Sequence, residues 1–225
     1  MKCKFCDSDC RKAGRQKNGA QKLCCKACGK YQQLSYRNNA CKKEVQVMIP
    51  QLVCESVSIR GIARVLKIAA RTVVNGIRRI ARGIKKPPII MNQAAFEVDE
   101  LYTYVGNKQN QYWVAYAINR TSGDVIDFII GKRTKRTLRV LINTLLLSGV
   151  KRIYTDNLNI YRTLIPGSVH HCKAYCTNHI ERKNRSIRTH LKRLSRRTIC
   201  FSRSYSLLES CMRIYFWSKM HSNEC

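Results

Sequence analysis

Two Cys-x2-Cys pairs near the start of the chain constrain its folding more than any other feature: Cys3 with Cys6, and Cys25 with Cys28. Eighteen residues separate the pairs, within the spacing typical of tetrahedral zinc sites with four thiolate ligands. The segment has almost no apolar periodicity, so a piece this short needs a metal ion to hold it folded. We therefore predict a four-cysteine zinc finger over residues 1–35, with a redox pair or unligated thiols as the alternative.

The charge of the chain indicates its partners. The 225 residues include 43 Lys plus Arg against 13 Asp plus Glu, a formal net charge of +30, which favours nucleic acid first and an anionic membrane second. No apolar run approaches the ~18 to 20 residues of a spanning helix, and the N-terminus lacks the apolar region of a signal peptide. We therefore expect a cytoplasmic protein that binds double-stranded DNA.

The segment from Ser58 to Arg82 has two short runs of apolar residues at helical spacing. This pattern predicts a helix-turn-helix whose second helix, from Ala70, enters the major groove. The prolines that follow end the helical region, so residues 36–88 are assigned to an all-α DNA-binding region and linker. An ordinary helical hairpin with a solvated basic face is the alternative. The candidate DNA contacts are Arg71, Thr72, Asn75, Arg78 and Arg79.

Beyond Pro88 the sequence alternates between strand and helix. Three β-branched and aromatic runs, 95–105, 112–119 and 125–130, are separated by turn signals and predict a meander of strands. A helical run, a short buried strand and further helices follow, in the order βββαβα. This is the order of an RNase H-like fold, so we predict a mixed-sheet α/β domain over residues 89–225.

Acidic residues are scarce in this domain, and three of them stand where a metal site needs them. Asp99 lies in a strand among apolar residues, Asp156 follows the short buried strand, and Glu181 begins a helix. Ligands gather at the carboxyl ends of strands in α/β sheets, and Mg²⁺ prefers oxygen ligands. We predict that the three carboxylates bind two Mg²⁺ or Mn²⁺ ions for phosphoryl transfer. Helix capping is the alternative for Asp156 and Glu181.

Over more than half of the chain, several long motifs resemble transposases of the insertion sequence one family, bacterial members of the DDE group. The motifs are VDELYTYVG, YWVAYAINRTSGDVIDFIIGKRT, YTDNLNIYRTLIP, TNHIERKNRSIRTHLKRL and SRRTICFSRS. The resemblance implies an RNase H-like catalytic domain in which Asp99, Asp156 and Glu181 are the DDE triad. It also implies that Arg188 occupies the family's basic position. Arg188 and Arg185, on the same helix, are further candidate DNA contacts. Family members carry an N-terminal zinc finger and a helix-turn-helix that binds the terminal inverted repeats.

The resemblance further implies the reaction and the partners. A metal ion activates water to hydrolyse the phosphodiester at the element's 3′ end, and the freed 3′-OH attacks target DNA. Joining two ends implies a homodimer or a higher synaptic complex, associated with the bacterial nucleoid. One rival interpretation is a zinc-finger and helix-turn-helix regulator without chemistry. Another is a nuclease or integrase on the same fold, which does not require terminal repeats.

Two smaller signals leave their alternatives open. One is a candidate second metal cluster, for which packing or DNA contact is the alternative: His170, His171, Cys172, Cys176 and His179. The other is a set of aromatic residues in the meander, for which sheet packing is favoured over base stacking: Tyr102, Tyr104, Tyr112, Trp113 and Tyr116.

Overall fold

The computed structural model describes residues 1–34, 36–88, 94–173 and 175–218. The chain divides into two compact units, Met1–Gln46 and Val47–Cys225. The start assigned above to the mixed-sheet domain falls on residues 89–93, which lie outside the described residues. None of the described helices is both long enough and apolar enough to cross a membrane.

The first unit is built on a small antiparallel sheet of three strands, β1 (Cys10–Arg15), β2 (Gln21–Cys25) and β3 (Tyr31–Gln32). Gly19 turns the chain between β1 and β2 with a φ of +81°, a left-handed conformation that glycine adopts without a Cβ clash. Among the described residues of this unit, the buried apolar side chains are Leu23 and three cysteines. A sheet with so small a core needs another source of stability.

Helix α1 (Lys43–Cys54) crosses into the second unit and is followed by α2 (Ile59–Leu66) and α3 (Ala70–Gly83). Ser58 caps α2, because its hydroxyl accepts from the backbone N–H of Gly61 at 3.0 Å. Lys67 ends α2 in the left-handed conformation, with a φ of 52°, where glycine is the usual residue. The apolar residues buried by this helix pair include Ile62, Leu66, Val73 and Ile77.

The second unit contains a five-stranded mixed sheet in the order β6-β5-β4-β7-β8. Its antiparallel part consists of β4 (Ala95–Val105), β5 (Asn107–Asn119) and β6 (Val125–Gly131), and its parallel part adds β7 (Arg152–Tyr154) and β8 (His170–His171). The remaining helices are α4 (Lys135–Leu147), α5 (Asn159–Leu164), α6 (Asn178–His190) and α7 (Tyr205–Trp217). The prediction of a mixed α/β fold is confirmed, and strand β8 is an addition to the predicted order.

Side chains of β4 alternate between the two faces of the sheet. On one face, Phe96 and Val98 belong to the hydrophobic core formed with α4 and α5. On the other face, Glu97 and Asp99 contact α6 through hydrogen bonds. This alternation decides which helix each acidic residue of β4 meets.

Candidate active site

Three carboxylates come together where β4 and β7 lie side by side: Asp99, Glu100 and Asp156. The two strands pair in parallel, with Glu97 opposite Tyr154. Asp99 and Asp156 come two residues further along each strand, so the register itself makes them neighbours. One oxygen from each of the three carboxyl groups lies within 4.8 Å of the others. The sequence predicts Asp99 and Asp156 of this carboxylate group but not Glu100.

Asp99 is held at both of its oxygens. Oδ1 accepts from the backbone N–H of Glu100 at 2.7 Å, and Oδ2 accepts from Nδ2 of Asn184 on α6 at 2.5 Å. The side-chain oxygen of Asn184 in turn accepts from the hydroxyl of the buried Tyr116 at 2.6 Å. Burial raises the pKa of Asp99 to about 6, and the charges of Glu100 and Asp156 contribute to the rise. The three acids therefore repel one another, and a divalent cation would offset that repulsion.

Glu100 contacts α5 rather than α6, and only 1% of its side chain is exposed. Its Oε1 accepts from the hydroxyl of Tyr161 at 2.7 Å, and its Oε2 accepts from the guanidinium of Arg133 at 3.2 Å. The same guanidinium lies 3.8 Å from Oδ2 of Asp156. Burial raises the pKa of Glu100, and the contacts with Tyr161 and Arg133 oppose the rise. The only sequence signal for Glu100 is the unusual run of acids in an apolar strand.

The second predicted ligand, Asp156, accepts one local hydrogen bond and lies near the guanidinium of Arg133. Its side chain is 43% exposed. Oδ1 accepts from the backbone N–H of Leu158 at 3.1 Å, just before α5 begins. Oδ1 therefore has the local contact expected of a capping residue, whereas Oδ2 lies 3.8 Å from the guanidinium of Arg133.

Glu181, the third predicted ligand, does not belong to the carboxylate group among the described residues. It lies exposed in the first turn of α6, and its Oε1 accepts from the hydroxyl of Thr177 at 2.8 Å. The residue of α6 that contacts Asp99 is Asn184, three positions later. Residues three apart lie on the same side of a helix, so Glu181 shares the side of α6 from which Asn184 reaches Asp99.

Glu97 anchors the start of α6 to the sheet. Its side chain is completely buried. One oxygen accepts from the backbone N–H of Ile180 at 2.9 Å, and the other lies 2.6 Å from Nδ1 of His179 and 3.5 Å from Nε of Arg120. An acid that accepts from a first-turn amide also interacts favourably with the helix dipole. Glu97 therefore sets where α6, and with it Asn184 and Glu181, lies against β4.

The substitution Glu97→Ala is expected to lower the free energy of unfolding by about 3 kcal/mol, because it leaves a buried amide, the imidazole of His179 and the guanidinium of Arg120 without their partner. Equilibrium urea unfolding measures the change. Glu97→Gln, which keeps an acceptor oxygen, should cost less, and Glu55→Ala at an exposed position is the control. A Glu97→Ala protein as stable as the Glu55→Ala protein would show that this anchor contributes nothing.

The predicted DNA contacts of α3 divide into two sets. Arg71, Asn75 and Arg79 are exposed. Thr72 and Arg78 are partly buried, and Nη2 of Arg78 donates to the hydroxyl of Ser206 on α7 at 3.1 Å. The exposed set is available to a ligand, whereas Arg78 lies on the side of α3 that meets α7.

On α6, Arg188 is half-buried beside the carboxylate group and Arg185 is exposed. Burial lowers the pKa of Arg188, the charge of Arg196 lowers it further, and Asp99 opposes the shift. In the described part of the chain, Nε of Arg188 has no hydrogen-bond partner. A buried N–H without an acceptor is costly, so Arg188 is suited to an anionic ligand.

In the first unit, the four predicted zinc ligands form one group. The Sγ atoms of Cys3, Cys6, Cys25 and Cys28 all lie within 4.8 Å of one another. The backbone N–H groups of Phe5 and Cys28 each point to a cysteine sulfur at 3.4 Å, as expected for thiolates held in tight two-residue turns. The contacts of Ser8 lower the pKa of Cys6 to about 6, whereas, against the backbone contact of Lys30, burial and the neighbouring thiols raise the pKa of Cys28 to about 12. Four thiolates so close together repel one another, and a bound cation would offset that repulsion.

The candidate second metal cluster is not assembled in the described part of the chain. Nε2 of His170 pairs with the hydroxyl of Thr155 at 2.8 Å, and Nδ1 of His179 pairs with Glu97. The sulfurs of Cys172 and Cys176 point to backbone carbonyl oxygens of Asp156 and Thr155 at 3.3 and 3.6 Å. These four side chains are used in contacts within the fold, which agrees with the packing alternative.

Part of the second unit matches a known protein family. The model of the IS1 transposase family matches residues 93–222. The insertion element iso-IS1n protein InsB of Shigella dysenteriae is 36% identical over 124 residues, which cover 55% of this chain and 95% of that protein. The IS1 protein InsB of Shigella flexneri is 35% identical over 119 residues, which cover 53% of this chain and 91% of that protein.

Among solved structures, a chain of the simian T-cell lymphotropic virus intasome in complex with PP2A regulatory subunit B56 gamma has a TM-score of 0.35 at 14% identity. That match covers 63% of this chain and 58% of the other, and it is too distant to support an inference. The family model and the InsB relatives agree with the resemblance drawn from the motifs. The chain belongs to the IS1 transposase family.

Proposed function

We propose that this chain is a DDE-type transposase that binds the terminal inverted repeats of an insertion sequence, cleaves the 3′ ends by phosphodiester hydrolysis and joins them to target DNA. The observation that carries the proposal is the group of Asp99, Glu100 and Asp156, whose oxygens lie within 4.8 Å of one another. Membership of a transposase family supports it. A regulator that only bound DNA would have no use for clustered carboxylates, because they repel phosphates.

The donor set fits hard divalent cations. Mg²⁺ and Mn²⁺ prefer carboxylate oxygens, and burial together with neighbouring acids raises the pKa of Asp99. We assign two such ions to Asp99, Asp156 and Glu181; when bound, they supply Lewis-acid activation of water and of the scissile phosphate. Asn184 keeps Asp99 oriented through its 2.5 Å hydrogen bond, and Arg133 balances the charge of Glu100 and Asp156.

Glu181 is proposed as a ligand although it rests against Thr177. Its contact is one part-buried side-chain hydrogen bond, and such a bond contributes only about 0.5–1.5 kcal/mol. Glu181 also shares a side of α6 with Asn184, which already reaches Asp99. We infer that a side-chain rotation turns its carboxylate toward the group, whereas Glu100 is held by Tyr161 and Arg133.

Arg188 is proposed to hold the DNA phosphate at this site. Its Nε lacks a partner in the described part of the chain, and its positive charge lies near Asp99. A phosphate oxygen would accept from the free N–H of Arg188. Its negative charge would also offset the repulsion between the guanidinium groups of Arg188 and Arg196. Arg185, exposed on the same helix, is proposed to contact the backbone further along the strand.

The N-terminal part is proposed to recognise the repeats. We assign a structural Zn²⁺ to Cys3, Cys6, Cys25 and Cys28, in a zinc finger over residues 1–35, and a helix-turn-helix to residues 36–88. The exposed side chains of Arg71, Asn75 and Arg79 suit a helix that meets DNA. The catalytic domain would occupy residues 89–225. Because two ends must be joined, a homodimer or a higher synaptic complex is proposed as the active form.

The proposal is tested with labelled DNA that carries the element's ends or scrambled ends. The full chain with Mg²⁺ is expected to cleave at the 3′ ends only when the ends are authentic. Equal cleavage of both substrates would favour the nuclease alternative, and binding of the ends without any cleavage would favour the regulator.

Repeat recognition is tested by Arg79→Ala, which is expected to weaken binding of the authentic ends by about 5- to 100-fold. Arg139→Ala is the charge-matched control, because Arg139 is exposed on α4 in a different helix. Electrophoretic mobility shifts at fixed salt concentration measure both variants. Equal losses in the two variants would indicate a general effect of charge and remove α3 from the recognition surface.

A further inference from the structure

Four aromatic side chains form a continuous cluster at the end of the sheet beyond the carboxylates. The ring centroid of Tyr102 lies 5.0 Å from that of Tyr104 and 5.1 Å from that of Trp113, and Phe201 lies 6.1 Å from Tyr104. The rings meet edge to face, which is a favourable geometry for aromatic pairs. All four residues are half-buried. We call this set the aromatic patch.

The aromatic patch continues the strand that carries the site. Tyr102 and Tyr104 lie two and four residues beyond Glu100 on β4, on the same face of the strand. At about 3.4 Å per residue, Tyr102 is about 7 Å along the strand from Glu100. Trp113 lies directly opposite Tyr102 in the pairing of β4 with β5. The patch therefore begins next to the carboxylate group.

The four rings lie outside the hydrophobic core under α4 and α5. The core under α4 and α5 contains Phe96, Val98 and Ala115 from the same strands, and none of the four patch residues belongs to it. Tyr116 shows what packing looks like in this sheet, since it is fully buried and its hydroxyl donates to Asn184. The four patch residues, by contrast, are partly exposed to solvent.

Cations border the aromatic patch. The guanidinium of Arg203 lies 6.0 Å from the centre of the Phe201 ring. On the other side, the guanidinium of Arg133 donates to Glu100, which lies two residues before Tyr102 on the same face of β4. Open rings beside cations are the combination by which proteins bind single-stranded nucleic acid, and the net charge of +30 favours a polyanion over an apolar partner.

We propose that the aromatic patch stacks unpaired bases of the DNA strand whose phosphate is bound at the carboxylate group. This rests on the proposed function, since the bases follow the scissile phosphate. Bases inside a duplex already stack on each other, so the end of the element must open by one or two base pairs for them to reach the rings.

The test uses Trp113 as its own reporter. The chain has two tryptophans, and Trp217 lies on α7, where its indole N–H donates to the carbonyl oxygen of Val125. In a Trp217→Phe protein, titration with a (dT)12 oligonucleotide in buffer without Mg²⁺ is expected to quench the remaining fluorescence. Binding without quenching would overturn the proposal.

Substitutions in the native background provide the second measurement. Tyr102→Leu keeps apolar packing but removes the ring, and is expected to weaken binding of fluorescently labelled (dT)12 about fivefold or more. Tyr102→Phe keeps the ring and is expected to bind (dT)12 as tightly as the unmodified chain. Tyr175→Leu, at an 84% exposed position, is the control. Equal affinities of the Tyr102→Leu and Tyr175→Leu proteins, or equal losses in the Leu and Phe variants of Tyr102, would overturn ring stacking.

The experiments can overturn the aromatic patch or the proposed function without overturning the other. Stacking is measured without Mg²⁺, so it does not depend on cleavage. Intact cleavage of the element's ends with no quenching of Trp113 would overturn the patch and leave the proposed function standing. Quenching of Trp113 with no cleavage under any divalent cation would support the patch as a single-strand surface and overturn the proposed chemistry.

Discussion

Asp99→Asn and Asp156→Asn are each expected to reduce DNA cleavage at least about 1000-fold while leaving binding of the terminal repeats nearly unchanged. The two carboxylates face each other because β4 and β7 pair in parallel with Glu97 opposite Tyr154. An asparagine keeps the shape of the side chain but removes the negative charge that holds a divalent cation. Cleavage of labelled end DNA with Mg²⁺, and gel-shift binding without it, measure the two effects.

Asp124→Asn is the control for this pair, because Asp124 is an exposed acid in the turn before β6. It should cleave like the unmodified chain. Strand transfer retained by the Asp99 or the Asp156 variant would refute the assignment of that residue. Loss of repeat binding in parallel with loss of cleavage would point instead to a damaged fold.

The same assay decides which acid is the third ligand. Glu181→Gln is expected to abolish cleavage as the aspartate variants do, although Glu181 rests against Thr177 in this structure. Glu100→Gln should retain measurable cleavage, because Glu100 is occupied by Tyr161 and Arg133. The reverse outcome would transfer the role to Glu100, the acid that lies within 4.8 Å of both aspartates.

Removal of zinc is expected to unfold the first unit of the chain. Among the described residues of that unit, Leu23 and three cysteines are the buried apolar side chains. We therefore expect folding to depend on the proposed zinc, since zinc binding contributes about 10–16 kcal/mol in small zinc domains. A zinc chelator, or Cys25→Ser, should release one zinc per chain and make residues 1–46 sensitive to protease. Metal analysis and limited proteolysis of the full chain record both changes.

Cys41→Ser is the control for the zinc prediction, because Cys41 is exposed in the same unit and lies outside the group of four sulfurs. It should keep its metal and its resistance to protease. A chain that contains no zinc when purified, yet resists protease over residues 1–46, would refute the zinc finger and favour free thiols.

Local sequence patterns were sufficient to predict much of the structure of this protein. The cysteine spacing predicts the four sulfurs that meet in the first unit. The helical spacing of apolar residues between Ser58 and Arg82 predicts the two helices α2 and α3, because this periodicity involves only neighbouring residues. Alternating apolar residues and turn signals predict the meander of β4, β5 and β6, whose strands are close in sequence.

Contacts between distant segments were decided only in the tertiary structure. Glu100 joins the two aspartates, Asn184 rather than Glu181 contacts Asp99, and Glu97 ties α6 to β4. None of these follows from local spacing, since they depend on the register of β4 against β7 and on how α6 packs across the sheet. The sequence by itself determined the spacing of the cysteine pairs and placed two of the three clustered acids, Asp99 and Asp156. The packing of segments about 60 to 85 residues apart decided which of those groups touch, because side chains that are distant in sequence meet only when the sheet and its helices come together.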